Sequence, residues 1–360
     1  MDPITHGVIG AAVAKLTGNE ISIHDAAAVS IVIGSIFPDI DIVFQKWGDY
    51  TYLKNHRGLT HSILGLVLSS GFLSVILKLI YRGTNIYELF LWSLLGGLAH
   101  SGFDLLNSYG AKLLWPFCNK KFSLGIINSF DPIFILFLLG YVIFSPLLKS
   151  FTLIMFVLYI GLRFLMKWIV SRNIHKIYSD KCQSLRLLPS LTGLFRWHFI
   201  MEQPGKSIVG EKNVLRKNIK IFKVLDKIEE EVLRKVNFSY VGKFFSDFTP
   251  ASHVICENIG NVTRYVFIDL RYYILSDFTP ASHVICENIG NVTRYVFIDL
   301  RYYIRGNFLH HAVLEMDKDD NVVNASFNPY SMNRSNPIPN PELRANDTFF
   351  SRFKVFLEIN

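Results

Sequence analysis

Two features of residue placement predict the fold class. It is an α-helical multi-pass membrane bundle of about five to six apolar helices, followed by a small cytoplasmic α+β domain rich in antiparallel strand. The first feature is charge: of 66 Asp, Glu, Lys and Arg residues, 21 lie in residues 1–170 and 45 in residues 171–360. The second is the apolar pattern. Unbroken apolar runs near the ~20 residues needed to cross hydrocarbon recur through the first half. Beyond residue 195 apolar and polar residues alternate, as on half-buried strands. With 50% hydrophobic and 18% charged residues, the chain is apolar for a soluble protein of 360 residues. The expected domains are 1–172, membrane-embedded, and 173–360, soluble.

The apolar segments are 4–17, 26–44, 62–81, 86–106, 132–148 and 151–170. The first is short and reads as half-inserted or tilted. The second ends in "FPDIDIV", where Pro38 and two aspartates argue against a continuous span to its end. Tracing the crossings puts Lys46, Lys54, Arg57, Lys112, Lys120, Lys121, Arg172 and Lys176 on one side, against Lys15, Arg82 and Lys149 on the other. The excess assigns the first side, and with it the C-terminal half, to the cytoplasm. The N-terminal "MDPITHGVIGAAVAKLTG" has an acid at position 2 and no basic n-region, so it does not read as a signal peptide.

In the second half, "FRWHFIMEQPGKSIVGEKNVLRKNIKIFKV" reads as two or three strands. "LDKIEEEVLRKV" reads as a helix with Leu225, Ile228, Val232 and Leu233 on one face. "HHAVLEMDKDDNVVNASF" reads as a hairpin turning at "DKDDN", and the last 25 or so residues as a Pro/Asn loop ending in a helix. One segment occurs twice: 246–274 repeats letter for letter at 276–304, so the duplicated blocks are 246–275 and 276–305. Two copies are too few for a solenoid. Two identical strands compete for one place in a sheet, so one copy is expected to pair and the other to loop out or add at an edge.

The net charge of +8 comes without a basic stripe interleaved with aromatics, so nucleic acid is not an expected partner. The four cysteines form no C-x-x-C, so neither a thiolate zinc site nor a disulfide framework is indicated.

Ionisable residues collect at one edge of the bundle. His6 opens the first segment, and Asp39 and Asp41 close the second. His56 and Arg57 precede the third, which His61 starts. His100 and Asp104 end the fourth, and Asp131 opens the fifth. His100 and Asp104 are four apart and share a helical face. Such groups in an apolar bundle are costly and face a cavity or each other. Imidazoles and carboxylates without thiolate suit Zn²⁺ first, with Mn²⁺ or Fe²⁺ as alternatives. "NSYG" at 107–110 either caps the fourth helix or lines the site.

"MDPITHGVIGAAVA", "FPDIDIV", "HRGLTHSILG", "AHSGFDLLNSYGAKLLWPF" and "SFDPIF" resemble successive motifs of the YdjM-like family. These are bacterial inner-membrane proteins described as metal-dependent hydrolases and as LexA-binding. The resemblance covers about residues 1–200, and "DLRYYIRGNFLHHAVLEMD" resembles the tail of the longer members. It implies motif positions at His6, Asp39, Asp41, His56, Arg57, His61, His100, Asp104 and Asp131. The duplication departs from that pattern.

The expected function is therefore a membrane-bound metal-dependent hydrolase using a metal-activated water. His61, His100 and Asp104 are the first-choice ligands, with His6, Asp39 and His56 next. Asp41 or Asp131 would orient a ligand or take a proton, and Arg57 would hold an anionic oxygen. Membrane lipid is an expected partner, and the substrate would be a phosphoester or lipid head group. The alternatives are a His/Asp-based membrane transporter, or a regulatory or scaffold protein binding a protein partner through its C-terminal domain.

Overall fold

A computed structural model of the protein describes residues 2–47, 52, 55–178, 181–190 and 193–227 and, beyond these, the backbone of strands between 252 and 337. The chain divides into two compact units, Met1–Val43 with Asn55–Val170, and Phe44–Lys54 with Ser171–Asn360.

The first unit is helical. It contains α1 (Pro3–Leu16), α2 (Ala26–Ile36), α3 (Ile63–Ile80), α4 (Ile86–Leu106) and α5 (Pro132–Ile143). It also holds most of α6 (Pro146–Tyr178). Local chemistry sets the starts. The side chains of Asp2, Asp25, Ser62, Asn85 and Asp131 accept from the amides of Thr5, Ala28, Gly65, Tyr87 and Phe134. Each cap satisfies an amide that the first helical turn would leave open.

Among the described residues, four helical stretches are long and apolar enough to cross a membrane: Ala26–Phe44, Ile63–Ile80, Ile86–Leu106 and Pro146–Tyr178. α1, with 14 residues, is too short to span, as its sequence length suggests. The second segment keeps α geometry only to Ile36 and then tightens into a 3-10 run, Phe37–Trp47. Pro38 lacks the amide hydrogen that the α ladder needs. The fifth segment ends at Ile143, short of the expected 148, and α6 starts at Pro146 rather than 151. Proline at this position cannot extend α5 but suits a helix start. α6 then runs on to Tyr178, past the expected end at 170.

Two glycines bring the bundle's centre together. A Cβ on Gly34 would lie 2.2 Å from the carbonyl oxygen of Ser93, and one on Gly96 would lie 2.1 Å from that of Ile31. Only glycine lets the α2 and α4 backbones approach so closely, the usual small-residue packing between membrane helices. The outward faces of α3 and α6 expose large apolar side chains such as Leu68, Leu79, Leu147 and Val157, which suits contact with lipid.

The second unit contains an antiparallel meander: β1 (Ser184–Pro189), β2 (Arg196–Gln203), β3 (Lys206–Asn213) and β4 (Ile219–Asp226), in that order across the sheet. Gln203 pairs with Lys206 around Pro204 and Gly205, whose φ of +74° is the left-handed turn position that glycine favours. Trp197, Phe199, Ile200 and Met201 of β2 and Ile208 and Val209 of β3 form its core. Leu225, expected on a helix face, lies instead in β4, because the alternating pattern continues through it. The rest of that helix, 228–236, lies outside the described residues, as does the helix expected at the C-terminus.

Further on, β5 (Ser252–Ile259) pairs with β6 (Val262–Asp269) as a two-stranded sheet. A five-stranded sheet joins β7 (Cys286–Ile289), β8 (Val292–Ile304), β9 (Asn307–Met316), β10 (Val322–Asn328) and β11 (Asn336–Pro337). β9 and β10 form the hairpin expected around "DKDDN", with Val322 opposite Met316. The duplicated copies fold alike at the hairpin. Cys256 pairs with Tyr265 and Ile259 with Val262, and thirty residues on Cys286 pairs with Tyr295 and Ile289 with Val292. Among the described residues, only the second copy's long strand, β8, carries β9 on its other edge.

Candidate metal centre

The site grows from the ends of α1, α2 and α4 and the turn before α3. The Asp2 cap starts α1 so that His6 falls in its first turns. The 3-10 run after α2 supplies Asp39 and Asp41. A 3-10 turn, Leu59–His61, presents His61 immediately before the Ser62 cap of α3. α4 supplies His100 and Asp104 one turn apart, and the Gly34 and Gly96 contacts press α2 onto that face.

These side chains converge away from solvent. His6, His61, His100 and Asp104 are fully buried, and Asp41 nearly so. The Nε2 atoms of His61 and His100 are 3.0 Å apart. Asp39 Oδ1 lies 3.7 Å from each of them, and Asp104 Oδ2 lies 3.6 and 3.9 Å away. His6 stacks on His100 with ring centroids 3.5 Å apart, and its Nε2 is 3.4 Å from Asp104 Oδ1. Two triads, His61–His100–Asp104 and His6–Asp39–His100, each bring ligand atoms within 4.8 Å of one another. Ligand atoms around a four-coordinate zinc ion stand about 3.3 Å apart, so the spacing needs little adjustment.

Tautomers sharpen the reading. His100 Nδ1 lies 2.7 Å from the carbonyl oxygen of Ser35 and donates to it, so the lone pair of neutral His100 sits on Nε2. Two Nε2 atoms at 3.0 Å require a proton or a cation between them. The charge balance points the same way. Asp39, Asp41 and Asp104 are three carboxylates, and the Arg57 guanidinium meets one of them, Asp104. Protonated imidazoles or a divalent cation would make up the difference. Neither ring nitrogen of His6 makes a hydrogen bond, nor does Asp39 Oδ2, so the donor set has capacity left for an ion.

A surrounding layer orients these groups. Asn107, the C-cap of α4, donates from Nδ2 to Asp104 Oδ1 at 3.0 Å. Its Oδ1 accepts from the amides of Tyr109 and Gly110. Of the two readings open for "NSYG", capping and lining the site, Asn107 therefore fulfils both. Asp41 lies one layer out from the Nε2 pair: its carboxylate meets His56 Nδ1 at 3.0 Å and accepts from the Arg57 amide at 3.0 Å. Burial pushes the His56 imidazole below its ordinary value, against the raising pull of Asp41. That keeps the ring neutral near pH 7. His56 is thereby tied to Asp41 rather than set beside the Nε2 pair.

Arg57 points inward. Its Nε lies 3.3 Å from Asp104 Oδ2, and its Nη1 donates to Asn107 Oδ1 at 3.3 Å. It acts on Asp104, where its sequence position suggested a hold on a substrate oxygen. Asp131 stands in another polar group. Its Oδ1 caps α5 at the Phe134 amide, and its Oδ2 accepts from the Tyr159 hydroxyl at 2.7 Å.

That second group includes residues that sequence reasoning misses. Arg163 Nε donates to the Ile126 carbonyl at 2.8 Å, and Lys167 Nζ to the Leu124 carbonyl. The same segment caps α4, because the amides of Leu124 and Ile126 donate to the carbonyls of Leu105 and Leu106. Cations on α6 thus steady the helix end that carries Asp104 and Asn107. The available signal was a buried arginine inside an apolar helix, "GLRFLMKW".

The comparisons with known proteins agree with this architecture. The sequence profile of the YdjM inner membrane protein family matches residues 1–170, and that of the YfhP C-terminal alpha/beta plait domain matches residues 274–335. A Bacillus subtilis (strain 168) relative, "Uncharacterized protein YfhP", is 30% identical over 288 residues, covering 76% of this chain and 87% of the relative. This chain belongs to the YdjM inner membrane protein family. No solved structure matches it. As a member, it is an inner membrane protein with several spans, followed by an antiparallel sheet domain of the plait type. Its buried His/Asp groups could hold a metal ion. The plait match begins at 274, so it takes in the second duplicated block and only the last two residues of the first.

Proposed function

We propose that this YdjM-family protein is a membrane-embedded hydrolase. Its His/Asp centre would hold a divalent cation, Zn²⁺ first and Mn²⁺ or Fe²⁺ as alternatives. Its substrate would be a phosphoester or a lipid head group. The observation that carries this reading is the pair of Nε2 atoms of His61 and His100, facing at 3.0 Å with Asp39 and Asp104 beside them. A bound dication at such a centre supplies Lewis acidity and makes a water acidic enough to react near neutral pH.

The chain's own residues do the rest. The Ser35 carbonyl holds His100 in the tautomer that leaves Nε2 open. Asn107 and Arg57 fix the Asp104 carboxylate from opposite oxygens. Asp41 anchors His56 and the Arg57 backbone. His6, stacked on His100 with no hydrogen bond to either ring nitrogen, is placed to take a proton. The substrate class rests on the site's place at the end of membrane spans. A cytoplasmic location for the C-terminal sheets is supported by the Lys and Arg excess on the site side, with α5 and α6 crossing as a pair.

Elemental mass spectrometry of detergent-purified protein tests the centre. About one or two equivalents of Zn, Mn or Fe are expected, lost in His61→Ala and in His100→Ala with Asp104→Ala while helicity is kept. Metal-loaded protein should then release phosphate or head group from phosphoester and phospholipid substrates. Folded protein that takes up no metal under replete conditions would sink the proposal.

A further inference from the structure

Between the end of α4 and the start of α5 the chain makes a closed tongue. Ala111 and Phe122 exchange backbone hydrogen bonds at its base, 3.1 and 3.0 Å long. The tongue is fastened to the edge of the bundle. Its Lys112 amide donates to the Arg57 carbonyl at 3.0 Å, and its Leu113 carbonyl accepts from the Ile63 amide at 2.9 Å. Ile63 is the first residue of the Ile63–Ile80 span, and α4, which leads into the tongue, is a span ending at Leu106. The tongue therefore leaves the membrane boundary at the ends of two spans, on the side that bears the His/Asp centre.

Its tip does not resemble a water-facing loop. Phe117 is 90% exposed and Leu114 46%, with Pro116 exposed beside them. Lys120 and Lys121 follow, with Lys120 Nζ over the Phe122 ring at 6.0 Å. No aspartate or glutamate occurs between Asp104 and Asp131. Exposed aromatic and aliphatic side chains beside lysines, without acids, match the chemistry of the head-group layer. There ring and chain enter the hydrocarbon edge and ammonium groups meet lipid phosphates. A residue advances the chain by at most ~3.5 Å, so the tip cannot travel far from the span end to which Leu113 is tied.

We propose that this tongue is a lipid-docking element. It seats Leu114 and Phe117 in the membrane on the site's side and sets Lys120 and Lys121 on the phosphates of anionic phospholipid. The proposal does not depend on the metal centre.

The test uses the full chain in lipid nanodiscs, with Cys118, Cys182, Cys256 and Cys286 changed to Ser. One version carries Phe117→Cys and a second carries Leu215→Cys, an exposed site in the β3–β4 loop; each is labelled with an environment-sensitive fluorophore. Lipids bearing a nitroxide near the head group should quench the Phe117 label at least about twofold more than the Leu215 label, and aqueous iodide the reverse. Quenching should be stronger with phosphatidylglycerol present than in phosphatidylcholine alone. Lys120→Glu with Lys121→Glu should abolish that difference. A Phe117 label open to iodide and untouched by spin-labelled lipid would overturn the proposal. Equal quenching in both lipids would overturn the anionic part. Unchanged circular dichroism and Leu215 quenching show that each variant is folded.

Discussion

Arg57 has a φ of 60°, a backbone conformation that costs an L-residue with a side chain about 1–2 kcal/mol. It is held there from both sides: its amide donates to Asp41, and its carbonyl accepts from Lys112. The strain aims the guanidinium at Asp104 and Asn107. Arg57→Gly and Arg57→Ala both lose that contact, but only glycine relieves the backbone. Denaturation in detergent should find the glycine variant more stable by ~1 kcal/mol; equal midpoints would mean that the conformation costs nothing. At this scale the residue types were legible and their assignments only partly so. His61, His100 and Asp104 stand out because imidazoles and carboxylates are costly beside apolar runs. Nothing local distinguishes Asp39, which faces the Nε2 pair, from Asp41, two residues on, which serves His56. Asp131 looked like a member of the same set because it too opens an apolar segment on the same side. Its partner Tyr159 is 28 residues away, and no spacing rule links them.

The elements were legible where punctuation marks them. The second helix ends near Pro38, as the sequence suggests, whereas Pro146 moves the break between the fifth and sixth segments from the expected 149–150 to 144–145. Contacts between elements were not. Glycine is ordinary in membrane helices, and only the fold reveals that Gly34 and Gly96 touch facing carbonyls. An added methyl at Gly96 must push α4 from α2, the helix whose end carries Ser35 toward His100. Gly96→Ala should cost ~1–3 kcal/mol, the usual range for overpacking. It should also lower metal content, although it touches no ligand. Gly71→Ala in α3, where nothing lies within 4 Å of the added methyl, should do neither. Thermal scanning with metal analysis compares the two, and retained metal in a destabilised Gly96→Ala would show that the helix contact does not shape the centre.

For the molecule as a whole, two predictions concern the C-terminal half. The basic excess on the site side, with α5 and α6 crossing as a pair, predicts that it faces the cytoplasm. A membrane-impermeant maleimide should therefore label Leu215→Cys, in a chain without other cysteines, in inverted vesicles and not in intact cells. The opposite pattern would reverse the sidedness. The duplication makes the second. Removing 246–275 or 276–305 leaves nearly the same chain, with Arg305 in one case and Leu275 in the other before Gly306. The remaining copy can then form the hairpin with its observed register and carry β9. Both deletions should keep full metal content, since every centre residue lies in the first unit. Loss of metal in either would tie the centre to the sheets.

The division of charge, the length of the apolar runs and the alternation after residue 195 are local properties. They determined a membrane bundle followed by an antiparallel sheet domain, because hydrocarbon and half-buried strands each impose a period on the chain that carries them. Residue chemistry also named the pool of candidate ligands. Tertiary structure decided which of them meet. His61 and His100 are 39 residues apart in sequence and 3.0 Å apart in space, and Asp39 and Asp104 arrive from different helix ends. Convergence of that kind depends on how closely two glycine-bearing helices can pack and on where a strained arginine points, neither of which has a period or a spacing to read.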